Sequence, residues 1–280
     1  MAERAETVGF VGLGAMGGPM AANLVRAGYD VVGFEPSEGR RSDAEKTGVR
    51  PAGSVAEAAR AATRFLVSIV RDADQTREVV RGRDGLLSAG REGLKVICMS
   101  TLDPSSLQSL SVELGEAGIE VVDAPVSGGV AGAQKGTLTV MLAGADATLA
   151  EVRPLLESMG RNLFTVGERP GMAQAAKLAN QLMLAVNMLG ITEGLRIATR
   201  HGVDEGQLME LLSVSTGGSW AVQNWSDVSA FWRSAEPGGT LEIILKDLRS
   251  SLREADQQKL PLPVTAVVNQ LIRHVWDDAR

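Results

Sequence analysis

The chain has 280 residues, of which 44% are apolar, and a formal net charge of −6. That length suits one large domain or two ordinary ones, and the mild acidity argues against a nucleic acid or an anionic membrane as partner. The single cysteine, Cys98, excludes an internal disulfide, is expected to be a buried inert thiol and suits a reducing cytoplasm. Two histidines without clustered acids predict no metal site. We see no room for a signal peptide and no uninterrupted apolar run of about 20 residues, so a cytoplasmic location is expected.

The N-terminal segment combines a strand, a glycine-rich turn and a helix. An apolar run at 8–11 leads into the turn, a helical pattern follows over 19–28, and a second apolar run over 29–34 ends at an acid, Glu35. Strand, turn, helix, strand and acid within about 30 residues form the fingerprint of dinucleotide binding. The expected cofactor-binding residues of the turn are Gly12, Leu13, Gly14, Ala15, Met16 and Gly17.

Each glycine of the turn has a distinct expected role. Gly12 lets the chain turn sharply, Gly14 lets a pyrophosphate approach the backbone, and Gly17 lets the helix pack closely on the sheet. The helix then directs its free N–H groups and its positive dipole end at the phosphates. The alternative interpretation is a glycine-rich turn that binds no nucleotide.

The acid after the second strand bears on the choice of cofactor. Glu35 is expected to accept hydrogen bonds from the adenosine ribose and to repel a 2′-phosphate, which favours NAD over NADP. Pro36 follows at a position where NADP enzymes often carry arginine. Arg40 and Arg41 lie just downstream, so NADP stays possible.

Up to about residue 167, β-branched runs alternate with helical stretches. The predicted strands are 8–11, 31–34, 65–69, 96–99, 119–123, 138–143 and 163–166, and the helices between them include 55–60, 73–81, 105–117 and 149–159. This alternation predicts an α/β fold, a Rossmann-type doubly wound and mostly parallel sheet. Ligands of such sheets gather beyond the carboxyl ends of the strands.

After residue 171 the strand signals disappear. Helices are predicted at 172–201, 204–214, 240–257 and 263–278. The chain is therefore predicted to contain a dinucleotide-binding domain at 1–167, followed by an all-helical substrate and oligomerisation domain at 168–280. Because the long helix carries Met183, Leu184, Val186 and Leu189, which one small helical domain cannot fully bury, a homodimer or homotetramer is expected.

The long helix also carries polar residues on an otherwise apolar face. Lys177, Asn180 and Gln181 share that face with Leu184 and Met188. Desolvation among alanines, and a cationic nicotinamide nearby, would favour the neutral amine of Lys177 and bring its pKa toward the range of an acid–base catalyst. A solvated lysine at a helix edge is the alternative.

Two more segments have a composition suited to binding. Ser127, Gly128 and Gly129 combine a hydroxyl with exposed main-chain N–H groups, which suits a carboxylate, although a plain loop has the same composition. The pair Lys246 and Asp247 lies within a helical pattern, where such a pair is usually a surface feature.

Taken together, these motifs resemble the β-hydroxyacid dehydrogenase family, which includes 3-hydroxyisobutyrate dehydrogenase, tartronate semialdehyde reductase and L-threonate dehydrogenase. The matching segments run in family order through nearly the whole chain: 12–17 with 20–24, 99–101, 123–129 with 132 and 136–138, 171 with 177–181, and 246–248. The resemblance implies NAD(P)-dependent oxidation of a hydroxyl close to a carboxylate, or the reverse reduction.

The resemblance also implies a role for each site residue. Lys177 would be the general acid–base, accompanied by Asn180, and its presence argues against the imine-reducing relatives, in which this lysine is replaced. Gln181 stands where the family often has a second asparagine that contacts substrate. The implied substrate-binding residues are Ser127, Gly128, Gly129, Gln181, Ser219 and Trp220, and the implied cofactor-binding residues beyond the glycine turn are Glu35, Val70, Thr101 and Lys246.

The nature of the substrate stays open in the sequence. Ser219 and Trp220 resemble a Ser-Trp step of L-threonate-type sugar-acid enzymes, but Trp220 packing in the core explains the segment equally well, and Trp225, Phe231 and Trp232 are expected to be packing residues. The main hypothesis is a dehydrogenase of a small hydroxy acid, 3-hydroxyisobutyrate-like or a sugar acid. The alternatives are a reductase of a small aldehyde acid, such as tartronate or succinic semialdehyde, and a nucleotide-binding protein without catalytic activity.

Overall fold

The structure, a computed structural model, describes residues 6–233 and 239–278. The chain divides into two compact units, one ending at Lys177 and the other beginning at Leu178. The boundary between these units lies inside one helix, later in the chain than the predicted domain division at 167/168. That division stays a prediction.

The first unit contains a sheet with helices between its strands. Its strands are β1 Thr7–Val11, β2 Asp30–Phe34, β3 Arg50–Pro51, β4 Phe65–Ser68, β5 Lys95–Cys98, β6 Glu120–Asp123, β7 Val126–Ser127, β8 Leu138–Ala143 and β9 Gly160–Gly167. Its helices are α1 Gly17–Arg26, α2 Glu38–Glu45, α3 Val55–Ala61, α4 Ala73–Arg81, α5 Pro104–Glu116, α6 Gly129–Lys135 and α7 Asp146–Glu157, and α8 Met172–Arg200 begins here.

The strand order confirms a doubly wound sheet. The strands run β3-β2-β1-β4-β5-β6-β8-β7, with β9 beside β8, and neighbours from β3 to β6 are parallel. β8 runs antiparallel to β6 and β7. The order reverses between β1 and β4, and the crevice at the carboxyl ends of such strands is where ligands of these folds bind.

Alternating side chains of the strands build a core on each face of the sheet. Phe65, Val67 and Ile97 belong to one apolar cluster, together with residues of α1 and α7. Leu66 and Val96 belong to a second cluster, together with residues of α3, α4 and α5. Because successive side chains of a strand point to opposite faces, the two clusters are the two sides of one sheet.

All regular secondary structure in the described residues of the second unit is helical. After the remainder of α8 come α9 Glu205–Ser213, α10 Trp220–Gln223, α11 Trp225–Arg233, α12 Thr240–Gln258 and α13 Pro263–Asp278. Trp225 is a packing residue as expected: it contacts the apolar core of this unit, and its indole N–H donates to Glu205 Oε1 at 2.7 Å. The side chains of Phe231 and Trp232 lie outside the described residues.

Most predicted elements are confirmed, and the differences have simple causes. All seven predicted strands are present, the last as part of the longer β9. Missed were β3 and β7, each only two residues long, and the helices α2, α6, α10 and α11. The mean strand is about five or six residues long, so two-residue strands carry too little pattern to be recognised.

By length and composition, α8 is the one helix in the described part of the chain that is able to cross a membrane. The sequence of α8 contains no uninterrupted apolar run of about 20 residues, because polar residues such as Lys177 and Asn180 lie within it. A single helix of this kind is weak evidence for a membrane span, since the core helix of a water-soluble protein meets the same two criteria.

Candidate cofactor and active site

The glycine turn after β1 is built by close backbone approaches. Gly12 has a φ of +91°, and a Cβ at this position would overlap the carbonyl oxygen of Ile69. A Cβ at Gly17 would overlap the carbonyl oxygen of Gly12. Both positions therefore require glycine for the turn itself, whether or not a ligand is present.

Gly14 differs from its two neighbours because the space around it is open. The one heavy atom within 4 Å of an ideal Cβ there is Nη1 of Arg40, at 3.5 Å. No side chain caps the start of α1. In its first turn the N–H groups of Gly18 and Met20 donate to the carbonyls of Gly14 and Met16, and Pro19 has no N–H, so an anion here would meet chiefly the positive end of the helix dipole. An open backbone beside an uncapped helix start fits the pyrophosphate of a dinucleotide.

Glu35 is held against this turn. Its Oε2 accepts a hydrogen bond from the Leu13 N–H at 3.0 Å and its Oε1 accepts one from the Ser37 N–H at 3.1 Å. The side chain is 5% exposed. Arg41 is close by, since its Nη1 lies 3.4 Å from the Glu35 carbonyl oxygen. The acid at the end of β2 and the glycine turn thus form one hydrogen-bonded unit.

The ends of β4 and β5 are joined through Ser100. The N–H of Val70 donates to Ser100 Oγ at 2.8 Å, and Thr101 follows, partly buried. Both implied cofactor-binding residues therefore lie beyond the carboxyl ends of the strands next to the glycine turn, at the edge where the fold predicts ligand binding.

A buried carboxylate at the end of β6 caps the start of α8. Asp123 is fully buried, and its Oδ2 accepts hydrogen bonds from the N–H groups of Gly171 at 2.8 Å, Ala173 at 3.0 Å and Gln174 at 3.2 Å. Burial raises the pKa of Asp123 to about 6, although these hydrogen bonds act in the opposite direction.

Gln174 ties α8 to two strand ends at once. Its Oε1 accepts from the Leu102 N–H at 2.8 Å, and its Nε2 donates to the Ser100 carbonyl at 3.0 Å and to Asp123 Oδ1 at 2.9 Å. The side chain is fully buried and every hydrogen-bonding position of its amide N–H₂ is used. The loop after β5, the end of β6 and the start of α8 are thereby held together.

The polar face of α8 lies as the sequence predicts. Lys177, one turn after Gln174, is 5% exposed, so it is not a solvated lysine at a helix edge. Gln181 and Met188 are also buried, whereas Asn180 and Leu184 are partly buried. Asn180 Nδ2 donates to Gln181 Oε1 at 3.3 Å.

In the second unit, Gln181 is joined to α12. Its Nε2 donates to Asp247 Oδ2 at 2.7 Å, and Lys246 Nζ lies 2.7 Å from Asp247 Oδ1. Asp247 is 1% exposed, so this pair is not the surface feature that its composition suggested. The buried carboxylate of Asp247 instead contacts both the predicted substrate residue Gln181 and the predicted cofactor residue Lys246.

The predicted carboxylate cradle lies in the first unit, between β7 and α6. Ser127 ends β7 and is partly buried, and Gly128 and Gly129 have φ values of +125° and +61°. Asn23 of α1 donates to the carbonyl oxygen of Ala133 in α6 at 2.7 Å. The helix that follows the glycine turn therefore also supports the helix that follows the cradle.

Ser219 and Trp220 begin α10 in the second unit. Ser219 Oγ accepts from the Val222 N–H at 3.3 Å as a helix cap. Trp220 is 56% exposed, so the interpretation of this side chain as a core residue is wrong, and its ring is available to a ligand.

Comparison with known proteins agrees with this geometry. Residues 7–167 match the NAD binding domain of 6-phosphogluconate dehydrogenase, and residues 171–279 match the NAD-binding domain of NADP-dependent 3-hydroxyisobutyrate dehydrogenase. The 2-(hydroxymethyl)glutarate dehydrogenase of Eubacterium barkeri is 32% identical over 96% of this chain and 89% of its own length. The NAD-dependent L-serine dehydrogenase of Pseudomonas aeruginosa is 33% identical over 95% and 91%.

A solved structure matches nearly the whole chain. The 3-hydroxyisobutyrate dehydrogenase of Mycobacterium tuberculosis, solved with L-serine, superposes with a TM-score of 0.87 and 30% identity, covering 98% of this chain and 95% of that one. The chain belongs to the β-hydroxyacid dehydrogenase family. As a member of this family it is an NAD(P)-dependent oxidoreductase.

For this β-hydroxyacid dehydrogenase, sequence reasoning missed the residues that support the site. Ser100 and Asp123 stand out in the sequence only as members of the matching segments 99–101 and 123–129, with no role of their own, and Gln174 does not stand out. The available signal was spacing, since Gln174 precedes Lys177 by three positions in an alanine-rich helix and so shares its face.

Cys98 takes no part in the site. It is buried in β5, and burial raises the pKa of its thiol to about 12, so it is the inert thiol that the sequence predicted. Within the described ranges 6–233 and 239–278, no group of three or more histidine, cysteine or acidic side chains is arranged to hold a metal ion.

Proposed function

We propose that this chain oxidises a small hydroxy acid with Lys177 as the general acid–base. The observation that carries the proposal is the burial of Lys177, at 5% exposure, on a helix whose first turn is fixed to the carboxyl ends of β5 and β6. Lysine is among the residue types that are least often fully buried, and the strand ends are where this fold binds its ligands. The alternative, a nucleotide-binding protein without catalytic activity, predicts cofactor binding without turnover.

Each part of the chain has a defined task in this reaction. A bound nicotinamide supplies the hydride acceptor. Lys177 takes the proton of the substrate hydroxyl as the C–H bond breaks and the C=O bond forms, and it returns that proton in the reverse reduction. Ser127, Gly128 and Gly129 are the proposed carboxylate contacts in the first unit, and Asn180, Gln181, Ser219 and Trp220 are the further substrate contacts proposed in the second unit. Acid–base assistance of this kind contributes about 10²–10⁴-fold in rate.

The test is a panel assay with a lysine variant. The purified protein is assayed with NAD and with NADP against 3-hydroxyisobutyrate, L-serine, 2-(hydroxymethyl)glutarate and L-threonate, by absorbance of the reduced nicotinamide. Lys177→Ala should lower kcat by about 10²-fold or more, with the cofactor Kd from calorimetry unchanged. Lys46→Ala, an exposed lysine in an ion pair with Asp43, is the control and should keep full activity. Near-normal turnover of Lys177→Ala would refute the assignment.

We propose NAD as the preferred cofactor. The support is Glu35, a buried carboxylate beside the glycine turn, whose charge would oppose a 2′-phosphate. Arg40 and Arg41, on the same side of the turn, keep NADP binding possible. Calorimetry should give a lower Kd for NAD than for NADP. Glu35→Gln should reduce the difference between the two Kd values. The control is Glu38→Gln, at an exposed acid that begins α2, and it should leave that difference unchanged. Tighter binding of NADP by the unaltered protein would contradict the preference.

We also propose that the chain forms a homodimer or homotetramer through its second unit. On α8, Met183 and Ile197 are exposed, while Leu184, Val186 and Leu189 pack in part on the core of their own unit. On α13, Val264, Val267 and Leu271 are exposed at helical spacing. Light scattering on a sizing column should give a multiple of the 29.4 kDa chain mass. A monomer at micromolar concentration would contradict this proposal.

A further inference from the structure

We propose that Asp123 and Gln174 are positioning residues for Lys177, because together they fix the first turn of α8 to the ends of β5 and β6. The proposal rests on the proposed acid–base role of Lys177. Neither residue belongs to the glycine turn or to the predicted substrate contacts, and both are fully buried.

Asp123 acts as a cap supplied from a distant part of the chain. The first N–H groups of a helix lack partners within the helix and are usually satisfied by a neighbouring serine, threonine, aspartate or asparagine. At α8, Oδ2 of Asp123 accepts three of these N–H groups, from residues 48 to 51 positions later in the chain. The cap therefore also joins the start of α8 to the end of β6. The first turn of α8 cannot shift without breaking these charge-assisted hydrogen bonds.

Gln174 adds direction to this tie. Its amide oxygen faces a donor, the Leu102 N–H, and its amide nitrogen faces two acceptors, the Ser100 carbonyl and Asp123 Oδ1. Turning the amide over would set donor against donor and acceptor against acceptor, so one orientation is favoured. The side chain thereby fixes both the distance and the rotation of α8 relative to the strand ends.

The position of Lys177 follows from that of Gln174. Three residues along a helix correspond to a rise of about 4.5 Å and nearly one full turn, so the two side chains lie one above the other. Gln174, Lys177 and Gln181 form one buried polar stripe. A shift of the first turn is carried to Lys177 through the helix, and a misplacement of about 1 Å costs a catalytic group about 10²-fold in rate.

A double-variant test separates positioning from general stabilisation. Gln174→Met keeps the shape of the side chain and removes all three hydrogen bonds. It should lower kcat by about 10–100-fold, with the NAD Kd from calorimetry changed less than about twofold. In the Lys177→Ala background the same substitution should change the residual turnover less than about twofold, since there is no amine left to position.

A matched control exists on α9. Asp204 Oδ1 caps that helix by accepting the Gln207 N–H at 3.1 Å, so the same pair of residue types forms an ordinary local cap there. Asp204→Asn and Gln207→Met should leave kcat unchanged within about twofold, because both residues are exposed and neither belongs to the predicted site.

A charge-conserving exchange gives a second, independent test. Asp123→Asn sets two amide N–H₂ groups face to face, and Gln174→Glu sets two carboxylates face to face. In the combined variant, the amide N–H₂ group at position 123 donates to the carboxylate at position 174, and the other oxygen of that carboxylate still accepts the Leu102 N–H. Only the Ser100 carbonyl loses its partner. The combined variant should have a kcat at least about tenfold above either single variant.

The outcomes are distinguishable. The positioning role would be overturned if Gln174→Met lowered kcat by the same factor in the unaltered protein and in the Lys177→Ala background. It would also be overturned if Gln174→Met lowered the Tm and left kcat unchanged. If Gln174→Met does not fold, the exchange decides the matter, and a combined variant no better than its two parents overturns the proposal. Retention of turnover by Lys177→Ala alone would instead remove the proposed function on which it rests.

Discussion

Raising the pH from about 4.5 to 7.5 is expected to lower the free energy of unfolding, because the carboxyl group of Asp123 loses its proton over this range. Burial raises the pKa of Asp123 from 3.8 to about 6. Since this folded-state pKa lies above the unfolded value, the folded chain binds the proton more tightly. The stabilisation that protonation provides is complete below the unfolded pKa and is lost as the pH rises through the folded pKa.

The magnitude follows from the size of the shift. About two pKa units correspond to about 3 kcal/mol in the free energy of unfolding, at about 1.4 kcal/mol per unit. Between about pH 4.5 and 7.5, about 2 kcal/mol of this is lost, because the unfolded carboxyl is already largely ionised at the lower end of the range.

Urea denaturation of the unaltered protein and of Asp123→Asn at several pH values measures this loss. The amide introduced by Asp123→Asn does not titrate, so the free energy of unfolding of the unaltered protein minus that of the variant should fall by about 2 kcal/mol across the range. Asp204→Asn, at the exposed cap of α9, is the control for the loss of an ordinary helix cap. A difference that stays flat or rises with pH would refute the reasoning, because the four N–H donors would then outweigh the cost of burying the charge.

Three further outcomes are expected at the glycine turn and in the core. Gly14→Ala should leave the Tm unchanged, because the added methyl group meets open space, and it should raise the NAD Kd at least about tenfold, because a pyrophosphate would lie in that space. Gly17→Ala should instead lower the free energy of unfolding by about 1–3 kcal/mol, because its methyl group would overlap backbone atoms. Asn23→Leu should cost about 1–3 kcal/mol in urea denaturation, because the carbonyl of Ala133 loses its buried donor. Cys98 should not react with a disulfide reagent in the folded protein and should react with one equivalent in urea; rapid labelling of the native thiol would contradict its burial.

Local patterns in the sequence were sufficient for the architecture. The order of strand, glycine turn, helix and acid predicts the first fold unit because each element is encoded by residues next to one another. The long uninterrupted helical pattern predicts α8 to within one residue of its observed end at Arg200. Some of the missed elements, such as β7 and α10, contain too few residues for a period to appear, whereas the missed helices α2 and α11 are as long as helices that were predicted.

The polar support of the candidate site was not predictable in this way. Asp123 and Gln174 are joined across 51 positions of sequence, and neither residue type at its position suggests the other. Likewise, the buried Asp247 accepts a hydrogen bond from Gln181, which is 66 positions away. Spacing along one helix indicates which side chains share a face, but not what they face.

The order of residues alone determined the family, the dinucleotide-binding turn and the lysine with which a hydroxyl proton would be exchanged, because these depend on short-range spacing. The tertiary structure decided which polar groups lose contact with water and which partners they find. Hydrogen bonds and desolvation act through space between segments that are distant in the chain, so the anchoring of α8 by Asp123 and Gln174 became apparent only once the strand ends and the helix start were brought together.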